Sequence, residues 1–130
     1  MKTLYLVCFC LMAAMPFKTQ KKSDALDLNV LVGNWKIDMS PQNKSDSNFA
    51  MMKISRIVDD SFEGEFYRSG VKIKNAKINT QLGIIYGALI SGDGTGDYNT
   101  TFYYKKGKLH GTTHAVDRNF LSVWTAVKTN

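Results

Sequence analysis

Cysteine is nearly absent from this 130-residue chain, and both copies lie at one end. Cys8 and Cys10 precede everything that reads as a fold, so the folded part has no disulfide, no thiol nucleophile and no cysteine metal ligand. Helical patterning is missing as well. After residue 30 no stretch repeats its apolar residues at helical spacing. Internal repeats and low-complexity runs are also lacking. The longest apolar run, Leu4 to Met15, falls short of the roughly 20 residues that span a bilayer. Charge of one sign is not gathered anywhere. The net charge is +6, but lysines alternate with apolar residues, as in Val71-Lys72-Ile73-Lys74. A nucleic-acid binder concentrates its charge on one face, so nucleic acid is not an expected partner.

The first residues read as a secretory signal. Lys2 precedes the apolar run, Ala13 and Ala14 close it, and polar Lys18-Thr19-Gln20-Lys21-Lys22 follows. The expected layout is a signal peptide at 1–17, a polar linker at 18–29 and one folded domain at 30–130. Cleavage is expected between Ala14 and Gln20. This predicts a secreted or periplasmic protein with no integral membrane segment after signal removal. Ala25-Leu26-Asp27-Leu28 can form a single helical turn.

The remainder is a series of short segments with period-2 alternation, each closed by a turn signal. Strands are expected near 32–39, 49–58, 61–68, 71–80, 84–91, 97–105, 108–116 and 119–128. Asp59-Asp60, Ser69-Gly70, Leu82-Gly83, Lys106-Gly107 and Asp117-Arg118 read as tight hairpin turns. Two connections are longer, Ser40 to Asn48 and Gly92 to Gly96. Hairpins throughout make a meander, and a meander of this many strands loses its edges by closing. The predicted class is all-β, an eight-stranded antiparallel up-and-down barrel. Chain direction sends both long connections to one rim, opposite Trp35.

Registers follow from the turns. A two-residue Lys106-Gly107 turn sets Tyr98, Thr100, Phe102 and Tyr104 opposite Ala115, Thr113, Gly111 and Leu109. Carried over Asp117-Arg118, it sets Phe120, Ser122, Trp124 and Ala126 opposite the same four residues of the middle strand. Large then meets small, as a crowded interior requires. Thr100, Thr113 and Ser122 form a row of hydroxyls between aromatic layers. That row can fix the polar end of a ligand, or its members can bond one another, backbone or trapped water. The candidate cavity residues are Thr100, Thr113, Ser122, Phe102, Trp124, Tyr98, Phe120 and Phe66. Trp35 and Lys128 mark the base.

Elsewhere the pattern demands irregularities. Phe62, Gly64 and Phe66 point inward; Glu63, Glu65 and Tyr67 point outward, with Glu65 facing Lys74. The alternation breaks near Asn75, where a β-bulge restores it. In the second strand a regular ladder from Asp59-Asp60 puts Lys53 inside, and an inward ammonium would suit an anionic ligand. A bulge instead puts Met52 and Ile54 inside, and is expected because a buried unpaired ammonium is costly. Ile84, Tyr86, Ala88, Ile90, Leu121, Val123 and Val127 are apolar or aromatic residues expected on the outside, which points to self-association or to cover by the N-terminal segment.

Three motifs carry no chemistry. His110 and His114 are four apart, but on a strand that is about 13 Å at ~3.3 Å per residue, too far for one metal ion. Gly92-Asp93-Gly94-Thr95-Gly96-Asp97 lacks the helix and the Lys-Ser/Thr of a phosphate loop. Asn43-Lys44-Ser45 and Asn99-Thr100-Thr101 match glycosylation sequons, which matter only in a eukaryotic secretory pathway. No nucleophile, base and orienting group come together. No metal or cofactor is expected, and no enzyme activity.

Leu31-Val32-Gly33-Asn34-Trp35 resembles the first motif of the calycin superfamily, the lipocalins, avidins and their bacterial relatives. That resemblance implies a Trp packed at the closed end and a basic residue of the last strand over it, here Lys128. Phe62-Glu63-Gly64-Glu65-Phe66 is similar to the third strand of avidins. Their ligand-contacting Tyr is Phe66 here, and their Asn and Ser after the first Trp fall at Ile37 and Pro41, so biotin is not implied. The resemblance implies a lipocalin-like barrel holding a small hydrophobic or amphipathic molecule. The alternative is a filled barrel that acts through oligomerisation or protein contacts on its outer apolar strands.

Overall fold

The structure is a computed structural model that describes residues 25–130. The expected signal peptide and the linker up to residue 24 lie outside the described residues. A 3-10 helix, Leu28–Leu31, leads into eight strands: β1 Gly33–Asp38, β2 Phe49–Val58, β3 Ser61–Tyr67, β4 Lys74–Asn79, β5 Tyr86–Gly92, β6 Asp97–Lys105, β7 Lys108–Ala115 and β8 Phe120–Thr129. The helical turn thus forms three residues later than its expected place, where the Asp27 carboxylate accepts from the Asn29 N–H at 3.0 Å.

The strands form one antiparallel sheet in the order β3-β2-β1-β8-β7-β6-β5-β4. Every pair but one is consecutive in the chain, and β1 pairs with β8 from Asn34↔Thr129 to Asp38↔Thr125. The result is an up-and-down barrel that is nearly closed. Its seam lies between β3 and β4, tied by single bonds such as Phe66 N–H to Val71 C=O at 2.9 Å and Ile78 N–H to Asp60 C=O at 2.7 Å.

Turn chemistry sets the registers. Lys106 and Gly107 both have positive φ, 51° and 78°, as a two-residue turn that matches strand twist requires. The β6–β7 and β7–β8 partners are those the turns imply, from Tyr98↔Ala115 to Tyr104↔Leu109 and from Ala115↔Phe120 to Leu109↔Ala126. In β2 the register shifts between Ile54 and Arg56, so Ser55 is the bulged residue; Met52 and Ile54 are buried and Lys53 is exposed. In β4 the shift lies between Lys74 and Lys77, with Asn75 at φ 49°.

Three expectations are corrected. Glu65 bridges to Lys72, not Lys74: the Ser69-Gly70 turn holds, with the Val71 N–H on the Arg68 carbonyl, but the Val71 carbonyl accepts from the Phe66 N–H, so the register slips by two residues on the β3 side. Leu82-Gly83 is not a tight turn: Asn79 pairs with Tyr86, leaving six residues between, and Ile85 folds back into the core. Tyr67 is not simply outward. It is half-buried and turns to the mouth, where a hydrogen-bond partner draws its hydroxyl.

The base is closed by the 3-10 helix. Leu31 and Trp35 are buried, and the Trp35 indole N–H donates to the Leu31 carbonyl at 2.8 Å. Lys128 pairs with Trp35 in register, places its ammonium 5.2 Å from the indole ring, and donates to the Val30 carbonyl at 2.6 Å. One side chain thereby ties the last strand to both the helix and the plug, as cation–π and charge-assisted contacts favour.

Candidate functional site

Three places qualify: the interior, the mouth and the outer face. Aromatic side chains of the barrel itself pack in the interior. Trp124 lies over Gly111 and Phe102 over Gly87, so closely that a Cβ at either glycine would collide with the ring. Phe66 lies tilted against Trp124 with ring centroids 6.0 Å apart, and Phe62 against Phe102 at 5.9 Å. The hydroxyl row is used internally. Thr100 and Thr113 share a hydrogen bond at 3.0 Å, and the Trp124 indole N–H donates to Thr113 at 3.0 Å. Ser122 is the third hydroxyl, beside Thr113 in register, and is only half-buried.

The other cavity residues named from the sequence gather at the mouth. Here a small cavity of about 80 Å³ is lined by Met39, Phe66, Tyr67, Tyr98, Thr113, Arg118 and Phe120. Tyr98, Phe66, Phe120 and Thr113 belong to the expected set. Phe120 is partly exposed at the rim, with the Arg118 guanidinium 5.4 Å from its ring.

Above this cavity a polar chain crosses the mouth. Asp93, from the glycine-rich β5–β6 loop, has a side chain only 5% exposed. It accepts from the Tyr67 hydroxyl at 2.8 Å, from the Thr95 N–H at 3.1 Å and from the Thr95 hydroxyl. Arg68 stands 3.6 Å away. Thr95 has one hydroxyl proton, and a carboxylate can only accept. The Tyr98 hydroxyl, 2.9 Å from Thr95, therefore donates to it, and accepts from Arg118 Nη1 at 3.2 Å. Direction thus runs from Arg118 through Tyr98 and Thr95 to Asp93, with Tyr67 joining from β3.

These bonds move the titrations. The Thr95 hydroxyl, then Tyr67, hold the Asp93 carboxyl well below the usual carboxylate range. The bond to Asp93, then burial, push the Tyr67 phenol up to about 12. Both groups are locked in one state at neutral pH, which suits structure and does not suit proton transfer. Nearby, the Ser91 hydroxyl is buried without a hydrogen-bond partner; Ser91 pairs with Tyr98 in register. The sequence reading missed Tyr67, Ser91, Asp93, Thr95 and Arg118. The loop around Asp93 was visible as a motif, but its partner Tyr67 lies 26 residues earlier.

The outer face divides into two halves. On β1–β4 it carries Lys36, Lys53, Arg56, Glu63, Glu65, Lys74 and Lys77. On β5–β8 three consecutive rows carry no charged side chain: Tyr86, Tyr103, His110 and Thr125; Ala88, Thr101, Thr112 and Val123; Ile90, Asn99, His114 and Leu121. Tyr103 and His110 stack at 4.9 Å, and Tyr86 leans on Tyr103 at 6.1 Å. Between these aromatics and the Pro41 loop runs an open groove of about 520 Å³, lined by Ala88, Thr101, Thr112 and Val123 and, from β4, by Lys77 and Asn79. Both histidines lie on this outer face.

Among the described residues no group of three or more His, Cys, Asp or Glu is placed to hold a metal ion, and no helix is long and apolar enough to cross a membrane. Comparison with protein-family models, with curated proteins and with solved structures finds no match to this chain.

Proposed function

We propose that this chain is an exported, non-enzymatic interaction protein of calycin-like build, with a filled barrel as scaffold and the outside of β5–β8 as its binding face. The observation that carries this reading is the contrast between the two halves of the outer surface. Soluble domains keep exposed apolar patches small and interspersed with charge. Here three rows in succession are uncharged on β5–β8 and lie along a groove of about 520 Å³ that Lys77 borders from β4, a volume within the few hundred to 1,000 Å³ of typical binding sites. Leu121 and Val123 are 63% and 61% exposed on it.

Tyrosine iodination tests the face. Tyr86 and Tyr103 are expected to be shielded in concentrated protein or with its partner, and to become reactive after Val123→Glu. Equal reactivity in all states would rule the face out as a contact surface.

A second reading keeps the interior ligand. The mouth cavity has an apolar floor, a guanidinium at its rim and the unpartnered Ser91 hydroxyl close by. Its volume, about 80 Å³, suits only the end of a small, mostly apolar molecule. Native mass spectrometry of protein from its own source tests this: a bound small molecule lost on Phe66→Trp supports it, and a bare mass counts against it.

A further inference from the structure

We infer that the occupant of the β5–β8 face is a second copy of this chain, turned end over end, so that the base of each barrel meets the mouth of the other. The inference rests on the reading of that face as the binding surface. What selects the occupant is the charge at its two ends. At the base the uncharged rows stop at Lys105 and Lys108, paired with each other in register and both exposed. At the mouth they stop at Asp97, and at Asp117 in the turn after β7 beside Gly96. Among the described residues none of these four takes part in an ion pair; the pairs present are Arg56–Glu63, Arg68–Asp93 and Lys77–Asp60.

The face is thus apolar in the middle, with Lys105 and Lys108 at one end and Asp97 and Asp117 at the other, while Arg118 of the same turn is engaged over the mouth with the Tyr98 hydroxyl and the Phe120 ring. Such a surface complements itself under a two-fold axis lying in the interface and perpendicular to the strands. That operation sets Lys105 and Lys108 of one copy against Asp97 and Asp117 of the other. A two-fold along the strands would instead oppose lysine to lysine and aspartate to aspartate, and like charges facing across an interface cost affinity. A foreign partner would need no such antisymmetry within this chain.

Size sets the strength. Four strands about 4.8 Å apart and about seven residues at ~3.3 Å each cover roughly 450 Å² in projection. Stable dimers bury about 800 Å² per partner. The contact must therefore recruit its flanks, where Ile84 and Val116 are exposed, and the dimer is expected to dissociate on dilution.

Sedimentation equilibrium of the purified protein over a wide concentration range tests this, with circular dichroism checking that each variant is folded. The expected result is a dimer that dissociates reversibly and is abolished by Val123→Glu. Reversing one end, by Asp97→Lys with Asp117→Lys or by Lys105→Glu with Lys108→Glu, is expected to weaken it about tenfold or more. Reversing both ends together is expected to restore it. A monomer at every concentration overturns the second copy but leaves the face intact as a surface for another partner, read by the iodination pattern. A dimer that survives Val123→Glu overturns the face itself. A dimer lost on Val123→Glu but indifferent to the charge reversals overturns the end-over-end arrangement.

Discussion

Thr113 is the residue on which the interior turns. It accepts from the Trp124 indole and shares a hydrogen bond with Thr100, all within the barrel. Thr113→Val keeps the shape and orphans both partners. An unsatisfied buried polar group costs about 1–3 kcal/mol, so urea unfolding should show a loss in that range or above it. Gly111→Ala acts through space instead. Its Cβ meets the Trp124 ring, and overpacking of this kind costs roughly 1–3 kcal/mol with a shifted tryptophan emission as its second sign. The mouth pair gives a pH prediction. Tyr67 is raised from 10.0 to about 12, so its contribution to stability is complete below pH 10 and is lost as pH rises through about 12. Asp93 is lowered, so its contribution is present above its ordinary value of 3.8 and is lost as pH falls towards its native value. Ultraviolet titration should find one phenol ionising near pH 12, absent in Tyr67→Phe and shifted down in Asp93→Asn.

At the scale of the element, β2 separates two deletions that look alike in sequence. Ser55 is the extra residue of the bulge, and Ile54 and Arg56 already pair with adjacent residues Gly64 and Glu63. Removing Ser55 leaves Met52 and Ile54 on the inside and straightens the strand. Removing exposed Lys53 slips Met52 onto the solvent face, since a one-residue shift exchanges the two sides. Thermal melts should therefore show a lower but cooperative transition for the Ser55 deletion and no cooperative transition for the Lys53 deletion. The bulge was legible beforehand, because only it reconciles the Asp59-Asp60 turn with a buried Met52 and an exposed lysine.

For the whole molecule, the seam sets where the barrel opens. β6, β7 and β8 pair along their lengths, whereas across the seam β3 and β4 with the residues just before each share only a few bonds and one isolated bridge, Glu65 to Lys72. Native-state hydrogen exchange should find the slowest amides in β6–β8 and the fastest strand amides in β4. Uniform protection around the barrel would show that the seam is as tight as the rest. The seam is one strand from the uncharged face: β4 pairs with β5 and its Lys77 and Asn79 line the groove, so local opening of β4 is expected to loosen that wall of the groove while β6–β8 stay closed.

Local chemistry in the sequence determined the strand pattern, the inward faces and the registers of β6, β7 and β8. Alternation has a period of two residues, and Lys106-Gly107 fixes a hairpin by its own backbone preference, so neither needs a distant partner. The pairing of Lys128 with Trp35 followed once β1 and β8 were taken to close the barrel. Tertiary structure alone decided whether the interior is open, because that depends on how Trp124 and Phe102 settle over Gly111 and Gly87 on neighbouring strands. It also decided that Tyr67 turns to Asp93 across the seam, against its alternation, since a hydrogen bond to a carboxylate outweighs an outward position half in solvent. The hydroxyl row was visible in the sequence as chemistry; that Thr100 and Thr113 satisfy each other, with Trp124 as third partner, became visible only when three strands were set side by side.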